Sequence, residues 1–234
     1  MIKTLGILGG IGPESTVEYY RTIISLYRER TKDGSYPKII LNSIDLKEEL
    51  VLVERDVHES LTTFMIGELE KLAKAGADFA IIASNTPHIV FDEVAARSSL
   101  PLISIVETAC AAATARQLKR LALFGARYTM QGRFYQKVFE KRRIELVVPE
   151  LADQNYIHDK YMNELVAGIF LPETRRGLLA VVDKMRATKE IDGVLLAGTE
   201  LPLILRDPIY NGLPILDTMR IHATAAVAEI LRET

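Results

Sequence analysis

Short apolar runs alternate with longer helical patterns along this chain, and the alternation is repeated. The runs lie near residues 5–8, 38–42, 79–83, 102–106, 121–124, 145–148, 193–197 and 214–216. Such an order specifies parallel strands joined by crossover helices. Lys3-Thr4-Leu5-Gly6-Ile7-Leu8-Gly9 matches Lys119-Arg120-Leu121-Ala122-Leu123-Phe124-Gly125, an offset of 116 residues. Two polar strand ends, at Ser84 and Gly198, follow at an offset of 114. A repeat this long is a duplicated α/β unit, not a solenoid. The expected fold is therefore α/β: two similar halves with mainly parallel sheets, related by a pseudo-two-fold, with a cleft between them. The first half is expected over residues 1–117, joined by a C-terminal helix at about 218–234, and the second over 118–217.

Helix boundaries are legible in places. A helix begins after Gly12-Pro13, since proline suits the first helical position, and Val17, Tyr20, Ile24 and Tyr27 recur along one face. A second runs from about Glu59 to Ala75 with a stripe of Leu61, Phe64, Met65, Leu69 and Leu72. Gly76 is placed to end it in the left-handed conformation.

At 234 residues and 48% apolar content the chain can bury a real core. Lysine and arginine (29) nearly balance aspartate and glutamate (31), and no basic run stands out, so nucleic acid is not an expected partner. Apolar runs such as Pro101 to Val106 are too short to span a bilayer, and no membrane partner is expected. Met1 leads straight into Leu5-Gly6-Ile7-Leu8, which reads as a start without a signal peptide, and a cytoplasmic location is expected. The single cysteine, Cys110, lies in the alanine-rich Glu107 to Ala113 stretch and reads as a small buried hydrophobe. His58, His88, His158 and His222 are scattered without ligand spacing, and no metal is expected.

The chemistry gathers at strand ends. Ile81-Ile82-Ala83 runs into Ser84-Asn85-Thr86, and Val194-Leu195-Leu196-Ala197 runs into Gly198-Thr199-Glu200. Parallel strands open onto ligand crevices at their carboxyl ends. Buried there, Ser84, Asn85 and Thr86 need partners such as a bound carboxylate; alternatively Asn85 bonds its own backbone in a turn. His88 either backs this turn or is structural. Glu200, with Thr199, is either a site residue or a structural carboxylate paired with Arg206. The loop Gly9-Gly10-Ile11-Gly12-Pro13-Glu14-Ser15-Thr16 permits close backbone approach to an anion, with Gly10 and Thr16 the candidates. A dinucleotide fingerprint would need glycine where Ser15 stands. Gly125-Ala126-Arg127-Tyr128-Thr129-Met130 is its counterpart, and Arg127 there either balances a carboxylate or is solvated. Asn42 to Glu49 is expected as the loop after the second strand, and the basic candidate in it is Lys47, with the same alternative.

These motifs together resemble the aspartate/glutamate racemase superfamily, the cofactor-independent amino-acid racemases. Gly9 to Pro13 is similar to that family's Gly-Gly-Met-Gly-Pro, Gly125 to Met130 to its Gly-Thr-x-x-Thr-Met, and the two strand ends to its Cys-Asn-Thr and Cys-Thr-Glu. The resemblance extends to Pro214-Ile215-Leu216-Asp217-Thr218, where Asp217 ends the last strand as a possible lining residue. It implies racemisation of an amino acid by α-proton abstraction without pyridoxal phosphate or any other cofactor, and a homodimer. It implies a substrate-binding set of Gly10, Thr16, Lys47, Asn85, Thr86, Arg127, Thr129 and Thr199, and catalytic positions at Ser84 and Glu200. The partner is then a small amino acid or carboxylate. The family's two thiols are replaced by Ser84 and Gly198, so the two-thiol mechanism is not possible here. One branch carries threonine at the first position, which leaves Gly198 as the larger departure. The alternatives are a catalytically silent small-carboxylate binder, or a decarboxylase or lyase of the same fold.

Overall fold

A computed structural model describes residues 2–54 and 58–232. Contacts divide the chain into two units, one from the described residues of Met1–Ile105 and His222–Thr234, the other from Val106–Ile221.

The first unit opens with β1 (Leu5–Gly9), α1 (Pro13–Thr31), β2 (Ile39–Ser43), α2 (Leu46–Glu54) and α3 (His58–Lys74). It continues through β3 (Phe79–Ile82), a 3₁₀ turn at Thr86–Val90, α4 (Phe91–Arg97) and β4 (Leu102–Ile103). Its sheet has the order β2-β1-β3-β4 and is parallel throughout. The central strands β1 and β3 are buried at every residue, which is why they read as unbroken apolar runs rather than alternating ones. Since all strands run the same way, their carboxyl ends share one edge, and the loops after β1, β2 and β3 all leave from it.

The second unit takes in α5 (Ile105–Ala115) from its second residue, then β5 (Arg120–Gly125), α6 (Arg127–Gln131), α7 (Phe134–Glu140) and β6 (Glu145–Val147). Next come α8 (Leu151–Lys160), a π-helical segment at Tyr161–Leu165, α9 (Pro172–Lys189), β7 (Gly193–Ala197) and α10 (Leu201–Ile204). β8 (Ile209–Tyr210), β9 (Leu213–Asp217) and α11 (Thr218–Ile230) finish the chain, and α11 passes into the first unit at His222. The sheet order is β6-β5-β7-β9-β8, parallel except for the β8–β9 hairpin. The first four strands repeat the order of the other sheet, with β5 standing for β1 and β7 for β3. The duplication seen in the sequence is a duplication of topology.

Local structure follows from local chemistry, with two corrections. Pro13 opens α1 after Gly12, and Gly76 (φ 97°) lies just beyond α3. On α3, Leu61, Met65, Leu69 and Leu72 are at most 1% exposed, each burial contributing about 1.5–3 kcal/mol, while Phe64 is half-buried. On α1 the inward face is instead Tyr19, Ile23, Leu26 and Tyr27, with Ser15, Thr16 and Thr22. Val17 and Tyr20 are 48% and 46% exposed, so the expected stripe is rotated about one residue. The small hydroxyl residues near the helix start carry the contact, and a purely apolar count overlooks them. The segment after β2, expected as a loop, is the helix α2. Cys110 is buried on α5; burial pushes its thiol pKa up, and Sγ lies 3.8 Å from the Val138 carbonyl. No helix among the described residues is long and apolar enough to cross a membrane.

Candidate functional site

In the first unit the loop after β1 is held by its own hydroxyls. Thr16 Oγ1 accepts from the Gly10 amide at 2.9 Å and donates to the Gly12 carbonyl at 3.0 Å, which Ser15 Oγ also reaches at 3.0 Å. Gly10 (φ 84°) is required: a Cβ there would stand 2.3 Å from the Ile44 carbonyl oxygen and 2.6 Å from its nitrogen. The loop after β2 is thereby drawn onto the loop after β1, and the Ile44 amide donates to the Gly9 carbonyl at 2.9 Å. Lys47 follows, exposed, its amide bonded to Asp45 Oδ1 at 2.8 Å.

The turn after β3 places Ser84 and Asn85 in buried positions and Thr86 half-buried at the start of the 3₁₀ turn. The Ser84 hydroxyl makes no hydrogen bond among the described residues, and Asn85 accepts the His88 amide on its carbonyl at 3.0 Å. His88 is fully enclosed behind this turn. Its Nε2 accepts from the Ile105 amide at 3.2 Å, so the neutral ring carries its proton on Nδ1, and the ring stacks on Phe91 at 4.9 Å. His222 stands nearby, with Nε2 donating to the Ile103 carbonyl at 2.8 Å and Nδ1 accepting from Tyr19 at 3.0 Å. Burial pushes both pKa values down, His88 to about 3 with help from His222, and His222 to about 4. Both rings are neutral supports at neutral pH.

The second unit holds an arrangement without a counterpart among the described residues of the first. Gly198 follows β7, and the ring of Tyr161 lies against it. A Cβ on Gly198 would stand 2.6 Å from Tyr161 Cε2, 3.1 Å from Cζ and 3.2 Å from Leu201 Cδ1. The room that any larger side chain would take is filled by this phenol. Tyr161 then donates its hydroxyl to Glu200 Oε2, which also accepts from Thr199 Oγ1 at 3.0 Å. Glu200 is 1% exposed and Thr199 fully buried. Two hydroxyl donors on one oxygen offset part of the cost of burying a carboxylate. Burial, and then the Glu200 carboxylate, push the Tyr161 pKa well above its ordinary value, so the phenol keeps its proton and acts as donor. Arg206 is exposed and turns its Nε to the Leu203 carbonyl at 2.8 Å.

In the same unit, Thr129 is fully buried on α6 with its hydroxyl unpartnered among the described residues. Arg127 is exposed at the start of α6, its amide donating to His158 Nδ1 at 3.3 Å. Asp217 caps α11, accepting the Arg220 amide at 2.9 Å. Within each unit, then, the strand-end residues named from the sequence do gather at turns of the same edge. Tyr161 was not legible: it sits 39 residues before Glu200, opening a π-helical turn closed by the Val166 amide on its carbonyl. Such turns often occur at functional sites. No local pattern ties Tyr161 to Gly198; an unexplained glycine at the end of a buried strand was the available signal.

Residues 8–226 match the sequence model of the Asp/Glu/Hydantoin racemase family. The chain is 26% identical to the broad specificity amino-acid racemase RacX of Bacillus subtilis (strain 168), over 97% of this chain and 98% of that protein. Among solved structures it is similar to an aspartate racemase homologue from Pyrococcus horikoshii OT3, with 30% identity, a TM-score of 0.82, and coverage of 98% of this chain and 100% of that one. The Picrophilus torridus aspartate racemase shares the fold, with a TM-score of 0.79 at 22% identity over 97% of this chain and 93% of that one.

Proposed function

Since the chain belongs to the Asp/Glu/Hydantoin racemase family, we propose that it acts on the α-proton of a small amino acid with Glu200 as the acid–base group. The observation that carries this reading is a carboxylate buried at the end of β7, aligned by Tyr161 and Thr199. A base must be held in one orientation and kept from bulk water to act on a weak carbon acid. Glu200 takes the α-proton and becomes the carboxylic acid; the electron pair left on carbon is delocalised into the substrate carboxylate. Return of a proton restores the C–H bond, and inversion results when it arrives on the opposite face. Thr129, buried in the same unit as Glu200 with its hydroxyl unpartnered among the described residues, supplies a donor suited to a carboxylate. The reading includes chemistry without pyridoxal phosphate, a cytoplasmic location and a homodimer. The test is exchange of the α-proton for deuterium in heavy water, with Glu200→Gln as the variant that must lose it.

A second reading, a silent carboxylate binder, is favoured by the Tyr161 ring where the family places a thiol. It predicts a ligand that raises the melting temperature with no exchange.

A further inference from the structure

Helix α1 carries more apolar surface than the first unit uses. Ser15, Tyr19, Thr22, Ile23 and Leu26 face inward and are buried. Val17, Tyr20 and Ile24 form a second stripe at i, i+3 and i+7, rotated off that face. Val17 and Tyr20 are exposed and Ile24 is half-buried. From Glu14 to Glu29 the charged side chains keep to the remaining arc, where Glu14, Arg21 and Arg28 are exposed. An ordinary surface helix is polar everywhere away from its core. Here the stripe read from the sequence is real, and it faces outward.

The stripe continues onto the sheet. β2 is the edge strand, paired with β1 on one side, and Leu41 at its centre is 47% exposed. Leu41 lies on the α1 side: a Cβ on Gly9 would stand 2.4 Å from Thr16 Cγ2 and 3.2 Å from Leu41 Cδ1. Asn42, the next residue, turns the other way and reaches Glu68 on α3. Tyr20 follows Thr16 by one helical turn, so Tyr20 and Leu41 belong to one patch with Val17 and Ile24. Grouped exposed apolar side chains mark an interaction surface, whereas scattered ones do not. The charges on the helix say what covers this one. Glu14 and Glu18 lie in its first half, and Arg21, Arg28 and Arg30 follow; Glu29, on the far flank, accepts from Ser25. A second α1 laid antiparallel sets the acidic turn against the basic turn, twice over, by two-fold symmetry. In the register that places Val17 on the partner's Ile24, Tyr20 meets the partner's Arg21, a cation on a ring, and Glu14 lies beside the partner's Arg28.

We propose that the outer stripe of α1, with Leu41 at the β2 edge, is the surface on which two copies of this chain pair about a two-fold, α1 antiparallel to α1. This rests on the homodimer reading above and assigns its surface. The test is sedimentation equilibrium of the full chain as wild type, Val17→Glu, Tyr20→Glu, Glu14→Arg, Arg28→Glu and the double variant Glu14→Arg with Arg28→Glu. Ile209→Glu, at an exposed apolar position in the second unit, is the control. Wild type is expected to be a dimer. Val17→Glu and Tyr20→Glu, folded by circular dichroism, are expected to raise the dimer Kd about 30-fold or more, the loss of a hot-spot contact. Each charge reversal is expected to weaken the dimer, and the double variant, which restores opposite signs, to recover it. Ile209→Glu should leave the Kd unchanged. A dimer indifferent to Val17→Glu and Tyr20→Glu overturns the assignment and keeps the homodimer. Equal weakening by Ile209→Glu, or a double variant no tighter than the single ones, overturns it too. A monomeric wild type overturns both readings and leaves the face to a different protein.

Discussion

Replacing Gly198 by alanine tests whether Tyr161 fills the room beside the β7 strand end. The added Cβ would lie 2.6 Å from Tyr161 Cε2. Ordinary carbon contacts lie near 3.5–4.0 Å, so the overlap is about 1 Å. The ring cannot simply swing aside, because it is buried and its hydroxyl is committed to Glu200. Overpacking of this kind costs about 1–3 kcal/mol. Tyr161→Ala alone removes ring contacts and a hydrogen bond, at about 3–5 kcal/mol. In the double variant the clash has no partner, so the two losses should fall short of additive by about 1–3 kcal/mol. Urea unfolding of the four proteins, followed by far-UV circular dichroism, measures this coupling. Losses that add within about 0.5 kcal/mol would refute the packing argument, as would a Gly198→Ala protein as stable as wild type.

Acid should destabilise the fold through His88 and His222, whose folded pKa values of about 3 and about 4 lie below the unfolded 6.5. The unfolded chain takes up protons first, so stability falls as pH drops from about 6.5 toward 4, by about 3 kcal/mol for His222 alone. A His222→Gln protein with an undiminished pH slope over that window would contradict this. Glu49 runs the other way: its folded pKa, raised by burial to about 7, exceeds the ordinary 4.5, so its ionisation burdens the folded state increasingly from pH 4.5 to about 7. Glu49→Gln should therefore gain about 3 kcal/mol more at pH 8 than at pH 4.5, read from urea midpoints, and an equal effect at both would count against it. Cys110→Ala should leave α-proton exchange unchanged, since the thiol is buried on α5; loss of exchange would reinstate thiol chemistry.

The strands and their order were legible because parallel strands buried on both faces leave unbroken apolar runs, as Phe79 to Ile82 and Gly193 to Ala197 do. The duplication was legible for the same reason. What escaped were features set by tertiary contact. The α1 face was misplaced because Ser15, Thr16 and Thr22 are buried there while Val17 and Tyr20 are not. α2 was hidden by Glu49, whose charge interrupts the apolar period that would have marked a helix. Among the site residues, Ser84, Asn85, Thr199 and Glu200 could be named because they follow recognisable strands. Tyr161 could not, because it reaches Gly198 through a helix that the sequence does not connect to β7.

The central claim is that Glu200 abstracts an α-proton in a chain without the family's two thiols. Its most direct test follows deuterium at the α-carbon of L- and D-amino acids by NMR in heavy water, with wild type beside Glu200→Gln. The account predicts exchange in wild type, absent from the folded Glu200→Gln protein. Exchange that survives the substitution, or none from wild type across the panel, contradicts it.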